Sequence, residues 1–140
     1  MQELLQYTVP NTLPEVGEFI DTIRNEVFYA QLSQRCQYLL ALILEELMTN
    51  IVKYGYDDQE PHEISVKISR GDNVLRVTVM DDGHPFDPLC DARQPQIDAA
   101  LEDRGIGGIG IHLVQTMAKD ICYKRVKNHN VLTVTLDAGQ

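Results

Sequence analysis

Apolar residues recur at helical spacing in two early segments. Val16, Phe19, Ile20, Ile23 and Val27 recur at i, i+3, i+4, i+7 and i+11, the pattern of one helix face. Thr12, with Pro14 just inside the first turn and Glu15 three residues on, is a start signal. A first helix is therefore expected from there to about Tyr29. Ser33 caps a second expected helix on the stripe Leu40, Leu44, Leu47 and Ile51, running to about Tyr54, where Gly55 and the polar YDDQEP segment stop it. Ahead of both, Glu3 to Val9 reads as a short strand with poor alternation, ended by Pro10.

The period then falls from about 3.6 to about 2. Ile64, Val66 and Ile68 alternate with Ser65, Lys67 and Ser69, and Leu75, Val77 and Val79 alternate with Arg76, Thr78 and Met80. With Gly71-Asp72-Asn73 as the turn, this is a hairpin with one apolar face. Asp82 to Gly108 has no clean period and is expected to be a long loop, with a helical turn near Ala99–Leu101. Ile109 to Ala118 reads as a third helix. Ile121–Val126 and Val131–Leu136 form a second hairpin around Lys127-Asn128-His129-Asn130. The order β-α-α-β-β-loop-α-β-β predicts an α/β (α+β) two-layer sandwich, a mostly antiparallel sheet covered on one face by three helices.

Length and charge narrow the partners. At 140 residues the chain is expected to be a single domain. Its formal charge of −9 argues against direct nucleic-acid contact or an anionic membrane surface. No apolar run approaches the roughly 20 residues of a membrane span, and MQELLQYTVPN does not read as a signal peptide. Cys36, Cys90 and Cys122 form no CxxC pair, which fits free thiols in a reducing cytoplasmic setting. His62, His84, His112 and His129 lack zinc-ligand spacing, so no zinc site is expected.

Three pieces of the chain carry candidate chemistry. On the second helix Glu46, Asn50 and Lys53 share one face, and there an apolar stripe turns polar. Glu45 points about 100° away and reads as surface. The polar stripe either faces water, as charged residues mostly do, or aims a carboxylate and an amide oxygen at a metal-phosphate. The second piece, Asp81-Asp82-Gly83-His84-Pro85-Phe86-Asp87-Pro88, follows a strand. An acid there can accept from an exocyclic amine, and Gly83 would let backbone approach a flat ring; an ordinary Asp/Gly turn is the alternative.

The third piece runs Arg104-Gly105-Ile106-Gly107-Gly108-Ile109-Gly110-Ile111-His112-Leu113-Val114. Its glycines precede an apolar helix, where backbone N–H groups converge on phosphate oxygens, or else they form a simple flexible hinge. Gly105 to Gly110 fits GxGxxG, but Pro95 to Asp103 is not a strand, so the dinucleotide fingerprint is rejected. Ile111 and His112 stand where a Walker A loop needs Lys and Ser or Thr.

In this order the three pieces resemble the GHKL ATP-binding superfamily, whose fold is the Bergerat ATP-binding fold. EELMTNIVKYGY resembles its N box, DDGHPFDP its first glycine box and GGIGIHLV its second. The chain is most similar to the small anti-sigma-factor serine/threonine kinase branch. The resemblance implies ATP and Mg²⁺ as cofactors, Glu46 as base and Asn50 as the Mg²⁺ ligand. It implies that Asp81 bonds the adenine amine, with Gly83 in the ring pocket. Gly107, Gly108 and Gly110 would face the phosphates, Lys53 or Arg104 would add positive charge, and residues 90–107 would form an ATP lid. Tyr54 stands where some members have His. The implied function is phosphorylation of a STAS-type anti-anti-sigma protein and sequestration of a sigma factor, with a possible homodimer. A non-catalytic nucleotide-gated binding module, or a detached histidine-kinase-type ATPase domain, is the alternative.

Overall fold

The computed structural model describes residues 1–87 and 108–138. In chain order the elements are β1 (Gln2–Pro10), α1 (Leu13–Arg24), α2 (Val27–Ala30), α3 (Gln34–Tyr54), β2 (Glu63–Gly71), β3 (Val74–Asp81), α4 (Gly108–Met117), β4 (Asp120–Val126) and β5 (His129–Asp137). The five strands form one sheet in the order β1-β2-β3-β5-β4, antiparallel at every pairing. The helices cover one face of it, as the sequence pattern predicts.

Strand parity builds the core. Directly paired residues share a face. Leu5, Ile68, Val77, Val134 and Ile121 therefore make one row across the sheet, and Tyr7, Val66, Val79, Leu132 and Tyr123 make the next. The central members of both rows are buried with Leu40, Ile43, Leu44 and Met48 of α3 and with Phe19, Ile20 and Ile23 of α1 in one hydrophobic cluster. Ser65, Lys67, Arg76 and Thr78 point to the opposite, wetter face.

The two predicted caps form. Thr12 Oγ1 accepts from the Glu15 amide at 3.3 Å and Ser33 Oγ from the Cys36 amide at 3.1 Å, each satisfying a donor that a helix start leaves free. The poor alternation of β1 has a cause in a register shift between Glu3 and Leu5, a bulge that leaves both Leu4 and Leu5 half-buried.

Several expectations are corrected. The first helix stops at Arg24, not Tyr29. The Asn25 side-chain amide takes the Asp21 carbonyl at 2.9 Å, the acceptor that a continuing helix would use for the Asn25 backbone N–H. The chain then re-enters as the short α2, which raises the described helical segments to four. Val27, counted on the apolar stripe, is 74% exposed, and Phe28 is buried instead. In the second hairpin the turn is Lys127-Asn128 alone, with φ of 49° and 66°, a pair of left-handed residues whose twist suits a two-residue connection. His129 and Asn130 belong to β5. Similarly, Gly71 pairs with Val74, so the first hairpin turns on Asp72-Asn73.

The expected helical turn near Ala99–Leu101 and the lid at 90–107 lie outside the described residues. No helix among those described is long and apolar enough to cross a membrane.

Candidate functional site

The apolar rows of the sheet end in a polar one. One step beyond Val79 and Leu132, Asp81 of β3 faces Asn130 of β5, and Asn130 in turn faces Arg125 of β4. Because parity points this row toward the helices, its side chains lie under the C-terminal half of α3. There Leu47, Asn50, Ile51 and Tyr54 project toward them. These elements, together with the loop after β3, line a pocket. Its walls are Leu47, Ile51, Val79, Phe86, Leu132 and Tyr123; its polar members are Asn50, Asp81, His84 and Asn130.

Asp81 is 5% exposed. Its Oδ2 accepts from the Gly83 amide at 3.0 Å and from Asn130 Nδ2 at 3.2 Å; Oδ1 has no partner among the described residues. Burial pushes its carboxyl above the ordinary Asp range, and the bonds from Asn130 and Gly83 work against that rise. The result is a desolvated acceptor at the floor of an apolar slot, able to take a hydrogen bond from an N–H donor. Asn50 lines the same pocket from α3. Its amide is 9% exposed and makes no hydrogen bond to any described residue, so it is available to a ligand.

The structure brings Asn50 and Asp81 into one pocket, with Gly83 behind Asp81, and leaves others apart. Glu46 lies one turn before Asn50, half-buried, and does not line the pocket. Its carboxyl is raised, first by burial and then by the charge of Glu45, while Lys53 lowers it. Lys53 and Glu45 are exposed. Gly108 and Gly110 lie in the first turn of α4. Arg104 and Gly107 are outside the described residues. No group of three or more His, Cys, Asp or Glu suited to a metal occurs among the described residues.

Gly83 is needed for a reason other than ring approach. It is buried but does not line the pocket; a Cβ there would collide with the carbonyl oxygen of Gly55. The His84 amide donates to that same carbonyl at 3.1 Å, so the loop after β3 is pressed onto the end of α3. Gly83→Ala is expected to cost about 1–3 kcal/mol, since neither backbone can yield without moving the pocket floor. Gly17→Ala, in the exposed interior of α1 where a Cβ meets nothing within 4 Å, is expected to stabilise by about 0.5–1 kcal/mol. Urea unfolding midpoints of the two variants check both signs.

Tyr56, next to the helix end, ties the two loops together. Its ring stacks on His62 at 3.7 Å and its hydroxyl donates to Asp82 Oδ1 at 2.6 Å. His62 Nε2 lies 2.8 Å from Asp58 Oδ1. Burial, followed by the bond to Asp82, raises the Tyr56 phenol. Sequence reasoning missed Asn130, Tyr123 and Arg125. Arg125 Nη1 donates to the Gly83 carbonyl at 2.8 Å. The signal for Asn130 was present, since it shares parity with Leu132, Val134 and Leu136.

A long helix, the ends of two central antiparallel strands and an Asp-Asp-Gly loop thus close one pocket of an α/β domain. The chain belongs to the histidine kinase-like ATPase domain family, which matches residues 9–136. It is 28% identical over 102 residues to the serine-protein kinase RsbW of Bacillus subtilis (strain 168), across 69% of this chain and 61% of that protein. It is 27% identical over 103 residues to the serine/threonine-protein kinase BtrW of Bordetella bronchiseptica, across 74% of this chain and 72% of the relative. The histidine kinase domain of a blue-light activated histidine kinase from Erythrobacter litoralis EL346 superposes with a TM-score of 0.58 at 16% identity. It covers 91% of this chain and 61% of that one, a likeness of fold.

Proposed function

We propose that this chain is an ATP-dependent serine/threonine protein kinase that phosphorylates a STAS-type anti-anti-sigma protein and sequesters a sigma factor. The observation that carries the reading is the pocket floor. The acceptor Asp81 is held at the end of an apolar slot, opposite an Asn50 amide that no described residue engages. Similarity to relatives named as serine kinases supports it.

The donor set fits the cofactors. The apolar walls suit a flat base, and Asp81 suits its amine. Asn50 offers one hard oxygen, and Mg²⁺ commonly takes only one or two protein ligands beside phosphate and water. Bound ATP would supply the transferable phosphoryl group, and Mg²⁺ would offset part of the phosphate charge, which a chain of net −9 does not. By the family resemblance, Gly107, Gly108 and Gly110 would offer backbone amides and the positive helix end to the phosphates, and Lys53 and Arg104 would add charge. Glu46 takes the proton of the attacking hydroxyl as the new O–P bond forms and the bond to the β-phosphate oxygen breaks. Asp81, itself held by the Gly83 amide, keeps the base end still, so that the hydroxyl meets a fixed phosphoryl group.

The test is incubation with labelled ATP, Mg²⁺ and the STAS-type protein. The expected result is label on a serine or threonine of that protein, lost on chelation of Mg²⁺. Nucleotide binding without transfer would make the chain a nucleotide-gated binding module instead.

A further inference from the structure

Asn130 is 7% exposed, and every hydrogen-bonding position of its amide is used. Nδ2 donates to Asp81 Oδ2 at 3.2 Å and to the His84 carbonyl at 3.0 Å. Oδ1 accepts from the Tyr123 hydroxyl at 2.5 Å and from the Phe86 amide at 3.3 Å. The amide cannot be turned over. A flip would set its oxygen against a carboxylate and a carbonyl, and its NH₂ against two donors. One side chain thus joins β3, β4 and the loop that carries His84 and Phe86, both lining the pocket.

We propose that Asn130 is a positioning residue that holds the Asp81 carboxylate as a charged acceptor turned toward the base of the bound nucleotide. The proposal rests on the ATP-binding reading above. The chemistry is directional. With Gly83 N–H and Asn130 Nδ2 both donating to Oδ2, that oxygen is saturated and the carboxylate plane is fixed. Oδ1 is left as the acceptor for a ligand N–H. Without the Asn130 donor, the carboxylate loses one of two bonds that favour its ionised form in a buried place. The groups facing Asp81 do not replace it. Asp82 beside it disfavours its charge, while Arg125 on β4 favours it. His84, Tyr123 and, from α3, Asn50 and Tyr54 complete the surroundings.

The experiment is calorimetric titration with ADP at about pH 8 and about pH 6, the lower pH lying nearer the range in which a carboxyl takes up its proton. Wild type, Asn130→Leu and Asn130→Thr are compared. The wild type meets the same ligand, so ionisation of ADP itself cancels in the ratio of dissociation constants. For Asn130→Leu that ratio is expected to be about 10 at the higher pH and to grow about fivefold further at the lower. Asn130→Thr, which keeps a donor, is expected to recover most of both losses. An equal loss at both pH values would reduce Asn130 to scaffold and overturn the proposal, as would unchanged affinity. If Asn130→Leu does not fold, Tyr123→Phe frees the Asn130 amide. It is expected to show the same pH trend at about twofold, and a flat ratio there overturns the proposal too. A wild type that binds no ADP overturns the ATP reading itself, whereas a wild type that binds with a flat ratio for Asn130→Leu overturns only the role of Asn130.

Discussion

Glu46→Gln is expected to leave nucleotide affinity within about twofold of wild type and to cut phosphoryl transfer by about 10²–10⁴-fold, the usual worth of a positioned base. Glu46 stands outside the pocket lining, one helical turn from Asn50, so the base and its amine partner should not sense the change. The amide of Gln keeps the shape but cannot take a proton. Single-turnover transfer to the STAS-type protein, read beside calorimetric ADP binding, separates the two effects. Transfer at the wild-type rate by Glu46→Gln would end its role as base.

The same residue predicts a pH profile. Burial and then the charge of Glu45 raise the Glu46 carboxyl, while Lys53 opposes them. The base works only when ionised. Transfer should therefore fall as pH drops through this raised value, at a higher pH than for an ordinary Glu. Glu45→Gln removes the repelling neighbour without touching the pocket, so the acid limb of the profile should move to lower pH. Lys53→Gln should move it the other way.

Much of this site is legible in the sequence, because a functional polar residue interrupts a pattern that packing would otherwise continue. Asn50 breaks the α3 stripe beside Leu47 and Ile51. Asp81 ends the alternation Leu75, Val77, Val79 with an acid on the inward parity. Asn130 breaks a pattern too, yet KNHN gives four polar residues from which a turn can be drawn. Nothing local says that Lys127 and Asn128 alone take the left-handed backbone, a conformation uncommon for Lys. Two residues of turn instead of four move His129 and Asn130 into the ladder and set Asn130 against Asp81. Gly83 is legible as a requirement but not for its reason. Contact with Gly55 joins segments 28 residues apart, and only the fold brings them together. The early end of α1 is the opposite case. Asn25 competes for a backbone carbonyl by a purely local bond, and the apolar spacing of Val27 outweighed that signal.

Asp81→Asn is expected to abolish most nucleotide affinity while leaving the fold as stable as wild type or more so. The amide oxygen can take over the bonds that Oδ2 accepts from Gly83 and Asn130. Its NH₂ then points into the pocket, where a carboxylate oxygen had been, and meets a ligand amine donor to donor. Losing a charge-assisted bond and gaining a repulsion should weaken ADP binding by about 10²-fold or more. Stability runs the other way. Burial raises the Asp81 carboxyl in the folded state, so between its unfolded and folded pKa values the native protein holds the extra proton. Wild-type stability is therefore lost as pH rises through the raised value. Asn carries no such cost, and the advantage in unfolding midpoint at neutral pH should vanish below about pH 4, where Asp is protonated in both states. Thermal unfolding across that range, with ADP titration at neutral pH, reads both halves. A residue kept for its fold alone would lose stability on this change; one kept for a ligand loses the ligand and gains stability, because the buried charge is tolerated only for what it binds.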